Sequence, residues 1–180
     1  MATSVLILPG YQGSGETHWQ THWEKKYPDF KRIEQKDWEH PICDEWVKNV
    51  EIAVQNAGKD VMIVAHSIGC LVVAHWAASL YHSPIKGALI VAPPNPNEPI
   101  FPSIAEGFEQ TPMRAFDFPS IIVASSNDPY ARFDYAQNLA DVWGSTLVNV
   151  GEKGHINTAS HLGLWEEGLS YLEKLKQLSH

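Results

Sequence analysis

Between Val5 and Asn149 the chain alternates short runs of Val, Ile and Leu with longer stretches in which apolar residues recur at helical spacing. Strands buried on both faces read as continuous apolar runs, and parallel strands need a crossover between them. The alternation therefore predicts an α/β fold with a mostly parallel central sheet between two helical layers. Val5-Leu6-Ile7-Leu8, Val61-Met62-Ile63-Val64-Ala65, Ala88-Leu89-Ile90-Val91, Ile121-Ile122-Val123-Ala124 and Thr146-Leu147-Val148-Asn149 read as strands, with Lys31-Arg32-Ile33-Glu34 as a weaker edge candidate, giving about six in all. Helices are expected over 16–26, 42–57, 68–81, 130–143 and 162–176. Gly58 is well placed to end the second of these. Residues 92–119 carry seven prolines and cannot form a long regular helix, and a loop of that length in a compact fold is usually functional.

A length of 180 residues with 44% hydrophobic side chains suits one domain, 1–180, with a core of its own. The net charge of -8, without a basic run longer than two residues, predicts no nucleic-acid partner and no membrane surface. The start, Met1-Ala2-Thr3-Ser4, lacks a basic segment followed by a signal-length apolar run, and the two cysteines, Cys43 and Cys70, do not suggest a disulfide framework. A cytoplasmic location is the expectation.

The chemistry is carried by three short segments. Ala65-His66-Ser67-Ile68-Gly69 follows the strongest strand and opens a helix, as does the G-x-S-x-G turn that holds a nucleophilic serine at a sharp bend. Ala65 replaces the first glycine and is one methyl larger. Ser67 at the start of a helix would have Ile68 N–H as an oxyanion donor. The glycine-rich loop Pro9-Gly10-Tyr11-Gln12-Gly13-Ser14-Gly15 would supply a second donor, Tyr11 N–H, with Gln12 in reserve. A serine needs a base and an acid that orients it, and in this kind of fold the chain order is Ser, acid, His. Asp128 in Ser126-Asn127-Asp128-Pro129-Tyr130 and His155 in Gly154-His155-Ile156-Asn157 each follow a predicted strand by a few residues. Asp134 and Asp141 fall inside the next helix. Read alone, Asp128 is a turn residue, Ser67 has a helix cap as its alternative and His155 a solvated loop histidine; their order along the chain favours a triad.

Other features are weaker. His18-x-x-x-His22 has metal-ligand spacing without a third ligand, so no metal site is expected. The loop glycines spell neither a dinucleotide fingerprint nor a phosphate loop. His66 is expected to buttress the serine turn at the edge of the substrate site. Gln12 is expected to contact substrate, and Trp38 and the proline-rich loop are expected to wall an apolar acyl pocket.

These motifs, with Thr17-His18-Trp19-Gln20 and Gln35-Lys36-Asp37-Trp38, resemble the small serine hydrolases typified by retinoblastoma-binding protein 9 and its bacterial relatives, over nearly the whole chain. The resemblance implies an α/β-hydrolase fold without a large cap domain, a triad mapping onto Ser67, Asp128 and His155, and no cofactor. The L-x-C-x-E motif of the namesake is Pro41-Ile42-Cys43-Asp44-Glu45 here, with proline in place of leucine, so a retinoblastoma-type partner is not expected. Hydrolysis of a small ester or thioester is the expected activity. The alternative is a non-catalytic interaction module on the same fold.

Overall fold

The computed structural model describes residues 3–79 and 82–179. Six strands, β1 (Ser4–Leu8), β2 (Phe30–Arg32), β3 (Val61–His66), β4 (Gly87–Val91), β5 (Ser120–Ala124) and β6 (Thr146–Asn149), form one sheet in the order β2-β1-β3-β4-β5-β6. Every pairing is parallel. The four inner strands are buried on both faces, which is why they read as unbroken apolar runs, whereas β6 at the edge is only half-buried.

Side chains alternate across the sheet. Leu6, Leu8, Ile63 and Ala65 pack on one side against α2 (Cys43–Ala57), α3 (Ile68–Ala78) and α4 (Phe133–Trp143). Val5, Ile7, Met62 and Val64 pack on the other against α1 (Trp19–Lys26) and α5 (Glu166–Leu178). The two helical layers thus follow from the period of two along each strand. On the second side three indoles cluster: Trp19 lies 4.7 Å from Trp23 and 4.8 Å from Trp165, centroid to centroid, and Trp23 stacks on Trp165 at 6.1 Å.

Three helices begin later than their sequence suggests, at Trp19, Phe133 and Glu166 instead of 16, 130 and 162. The helix expected over 68–81 ends at Ala78, and Leu80 and Tyr81 lie outside the described residues. Residues 92–119 form the crossover from β4 to β5, a role played by a helix between the other neighbours. The segment is irregular but tied down: Glu106 N–H donates to Pro41 O at 2.9 Å, Trp143 Nε1–H to Pro112 O at 2.8 Å, and Phe108 is fully buried. It replaces a flanking helix, and among the described residues there is no large cap domain.

The chain leaves β1 towards β2 on one side and later returns to build β3, β4, β5 and β6 on the other, so the order reverses between β1 and β3. A crevice forms at the carboxyl ends of strands at such a point. The loop after β1 and the turn after β3, the two segments expected to carry oxyanion donors and nucleophile, meet there.

That meeting needs glycine. A Cβ built on Gly69 would lie 2.5 Å from Leu8 O and 2.9 Å from Pro9 O, both backbone atoms that cannot swing aside. Gly69→Ala is expected to destabilise the fold by about 3 kcal/mol, read as a lowered urea midpoint with an unchanged slope.

Candidate active site

Ser67 stands between β3 and α3 with φ 55° and ψ −128°, a conformation that residues with a Cβ rarely adopt. Its N–H donates to Val91 O at 3.0 Å, pinning the turn to β4. The side chain is thereby pushed out above the sheet. Its Oγ lies 2.8 Å from His155 Nε2, and His155 Nδ1 lies 2.9 Å from both carboxylate oxygens of Asp128. The carboxylate can only accept, so it takes Nδ1–H, and Nε2 is left as the acceptor for the serine hydroxyl. The His155 and Asp128 side chains are 7% and 4% exposed, so water competes little for these bonds.

The loops carrying acid and imidazole brace one another. Ser126 N–H donates to Gly151 O, Gly154 N–H to Asn127 Oδ1 and Lys153 N–H to Ser125 Oγ, at 2.7 to 2.9 Å. Asp128 Oδ1 also accepts from Tyr130 N–H at 2.9 Å. The Tyr130 ring lies 4.2 Å from the His155 ring, centroid to centroid. On the opposite side Trp19 Nε1–H donates to Ile156 O at 2.8 Å, and His66 Nε2–H donates to His155 O at 2.9 Å. Three separate parts of the chain, the loop after β5, α1 and the end of β3, therefore fix one imidazole.

Two backbone N–H groups beside Ser67 have no hydrogen-bond partner among the described residues, those of Tyr11 and Ile68. They are the two expected donors. Gln12 N–H is not spare, since it donates to Trp38 O at 3.0 Å. The Tyr11–Gly13 turn is held open by Arg32, whose guanidinium donates to Gly13 O and pairs with Glu24 at 2.9 Å. A Cβ on Gly10 would lie 2.9 Å from Ser67 Cβ, so the absence of one lets this loop close on the serine.

A cleft of about 240 Å³ opens over Ser67. Tyr11, Gln12, His18, His66, Ile68, Tyr130 and His155 line it, with Pro94, Phe101 and Pro102 from the crossover and Asn157 and Thr158 beyond His155. Gln12 and His66 are thus at the cleft as expected. Trp38 is not. Gly13, at φ 73°, lets the indole pack beneath the loop, where a Cβ would come within 2.8 Å of the ring, and Trp38 there meets Trp46 instead of substrate. The proline-rich crossover lines the cleft with Pro94, Phe101 and Pro102, Ile68 adds a further apolar side chain, and Gln12, Ser14, Asn157 and Thr158 bring polar ones. Sequence reasoning gave no role to Tyr130, Ser125, Asn127 or His18. The first three flank Asp128 closely enough to have been candidates; for His18 the spacing to His22 raises only a metal reading.

Cys43 and Cys70 are buried free thiols. Burial, then the neighbouring Asp44 and Glu109 charges, pushes Cys43 up to about 12, and burial holds Cys70 well above the usual thiol range, so neither is a nucleophile near neutral pH.

His18 and His66 are held neutral. Burial first, and then the Arg32 charge with smaller effects of His155 and His22, lowers His18 to about 3. Burial, with His18 and His155 nearby, keeps His66 well below its ordinary value. In the unfolded chain both would protonate near pH 6.5. Below that pH the unfolded state takes up protons that the folded state does not, so stability falls as pH falls, by up to about 1.4 kcal/mol per pH unit for each group. Urea midpoints measured between pH 7.5 and pH 4.5 are expected to drop steeply below pH 6.5, and less steeply in His18→Asn.

A family model for serine hydrolases matches residues 5–174. The chain belongs to the serine hydrolase family. Within this serine hydrolase family it is 32% identical to a YdeN-like hydrolase from Pectobacterium atrosepticum SCRI1043, whose solved structure superposes with a TM-score of 0.85 over 98% of this chain and 91% of that one. It is 24% identical over 169 residues to the Bacillus subtilis (strain 168) protein YdeN, named as a hydrolase, with 86% of each chain covered. Est1E from Butyrivibrio proteoclasticus, solved with ferulic acid bound, shares the fold at a TM-score of 0.67 and 15% identity, covering 98% of this chain and 88% of that one. These similarities establish the α/β-hydrolase fold and hydrolase membership.

Proposed function

We propose that the protein is a one-domain hydrolase that cleaves small carboxylic esters or thioesters through an acyl-enzyme on Ser67. The observation that carries this reading is the continuous chain from Ser67 Oγ through His155 to Asp128, with two unpaired N–H groups beside the serine. Ser67 Oγ attacks the carbonyl carbon as its proton passes to His155 Nε2, and the C=O becomes an oxyanion held by Tyr11 and Ile68 N–H. Collapse breaks the bond to the leaving alcohol or thiol, which takes the proton from His155. Water then attacks the acyl group, gives a proton to His155, and the carboxylic acid departs as Ser67 recovers its hydrogen. Asp128 keeps Nδ1 protonated throughout. A cleft of about 240 Å³ favours short acyl chains.

The location expected is the cytoplasm; no helix among the described residues is long and apolar enough to cross a membrane. A fluorophosphonate probe is expected to add once, at Ser67, as located by peptide mass, and p-nitrophenyl esters are expected to be hydrolysed with a preference for acetate to butyrate over octanoate. Absence of both labelling and turnover would overturn the hydrolase reading in favour of an interaction module.

A further inference from the structure

His18 has no part in the proposed triad, yet it lines the same cleft and is only 3% exposed. Its Nδ1 accepts from Gln20 N–H at 3.2 Å and so caps α1. An acceptor nitrogen carries no proton, which places the imidazole hydrogen on Nε2. That Nε2–H has no acceptor among the described residues. Burial and the nearby Arg32 charge lower the group to about 3, so near neutral pH the ring is neutral and this hydrogen is a donor without a charge. A buried donor without an acceptor is costly, and such groups mark places where a ligand completes the bonding.

The topology says what kind of ligand. β3 lies between β1 and β4, so Ser67 stands between the loop after β1 and the crossover after β4. The β1 side contributes Gln12, Ser14 and His18, and the crossover contributes Pro94, Phe101 and Pro102. One arm of a bound ester therefore meets polar groups and the other meets apolar ones. Among the described residues no Lys, Arg, Asp or Glu lines the cleft, and its neutral lining suits neutral groups.

We propose that His18 Nε2–H binds an uncharged acceptor oxygen, an ether, hydroxyl or carbonyl, carried by the substrate within a few bonds of the scissile ester. This rests on the ester-hydrolysis reading of Ser67 and narrows its substrates to oxygenated esters. His18 is then a specificity residue, not a member of the proton-transfer chain.

Isosteric substrates isolate that oxygen. p-Nitrophenyl methoxyacetate and p-nitrophenyl butyrate differ by one O-for-CH₂ exchange on the acyl side, and 2-methoxyethyl acetate and butyl acetate differ likewise on the alcohol side. The quantity read is the kcat/KM ratio, ether over alkyl, in wild type divided by the same ratio in a variant, so that intrinsic ester reactivity cancels. His18→Asn places a good helix-capping oxygen where Nδ1 was and removes the Nε2 donor. His18→Gln reaches the Nε2 position with an N–H and loses the cap. In one of the two pairs the ether preference is expected to fall by about 3- to 10-fold in His18→Asn and to be retained in His18→Gln. A role in capping alone would give the reverse pattern of damage, with stability lost in His18→Gln and no change of preference in either variant. Unchanged ratios in both pairs for His18→Asn would overturn the proposal.

A second readout does not depend on turnover or on either His18 variant folding. Ser67→Ala is titrated with 2-methoxyethyl acetate, butyl acetate, methoxyacetamide and butyramide while the His18 imidazole ¹⁵N resonances are followed. A shift of Nε2 with at least one ether and not with its alkyl partner supports the proposal even if wild type hydrolyses no ester. Turnover of esters without any such shift overturns the proposal and leaves the hydrolase reading standing.

Discussion

Ser67→Gly and Ser67→Ala are both expected to lower kcat for p-nitrophenyl acetate by about 10⁴- to 10⁶-fold, because each removes the proposed nucleophile and leaves only the proposed oxyanion donors and the cleft. The two variants should differ in stability, and in the unusual direction. Glycine normally destabilises a fold relative to alanine through its larger backbone entropy when unfolded. At φ 55° and ψ −128° an alanine Cβ remains strained as the serine Cβ is, whereas glycine adopts the conformation freely. Ser67→Gly is therefore expected to be more stable than Ser67→Ala by about 1 kcal/mol, a rise in Tm of roughly 3 °C for a chain of this size. Thermal melts of both variants beside their kcat values make the check. Equal or reversed stabilities would mean that the turn stores no strain for catalysis.

Asp128→Asn is expected to leave the fold intact and to reduce kcat by about 10⁴-fold with little change in KM. The carboxylate has two oxygens at 2.9 Å from His155 Nδ1, and one of them also accepts Tyr130 N–H. An amide offers one oxygen for these two donors. If that oxygen stays with Tyr130 N–H, the NH₂ faces Nδ1 and favours the imidazole form with its hydrogen on Nε2. In that form Nε2 donates to Ser67 Oγ and cannot take its proton. The fluorophosphonate labelling rate should fall in parallel with kcat, since both need Ser67 activated. Retention of kcat within about tenfold of wild type would place the orienting acid elsewhere.

The sheet was legible because its inner strands are buried on both faces and leave no polar residue to break the apolar runs, as in Val61–Ala65 and Ile121–Ala124. The late helix starts were not. His18 caps α1, Arg132 precedes α4 without a side-chain cap, and Trp165 precedes α5 in a left-handed conformation. None of these is a Ser, Thr, Asp or Asn, so the usual start signal is missing at all three. Within the site, Ser67, Asp128 and His155 could be picked out because each lies at or just beyond a strand end, and strand ends are readable. What pairs across loops was not readable. That Gln12 N–H is spent on Trp38 O, or that Trp38 lies beneath Gly13, depends on how a glycine-rich turn folds back, which spacing alone does not determine.

The indole cluster of Trp19, Trp23 and Trp165 gives the molecule an optical reporter of its own. The other four tryptophans, Trp38, Trp46, Trp76 and Trp143, pack on the opposite side of the sheet. Trp19 is hydrogen-bonded to the carbonyl of Ile156, the residue after His155. Any movement of the loop that carries His155 must stretch that bond and reorient one of three closely coupled indoles. Tryptophan emission and near-ultraviolet circular dichroism can therefore follow the imidazole's position in real time, without a label and without touching a residue of the cleft.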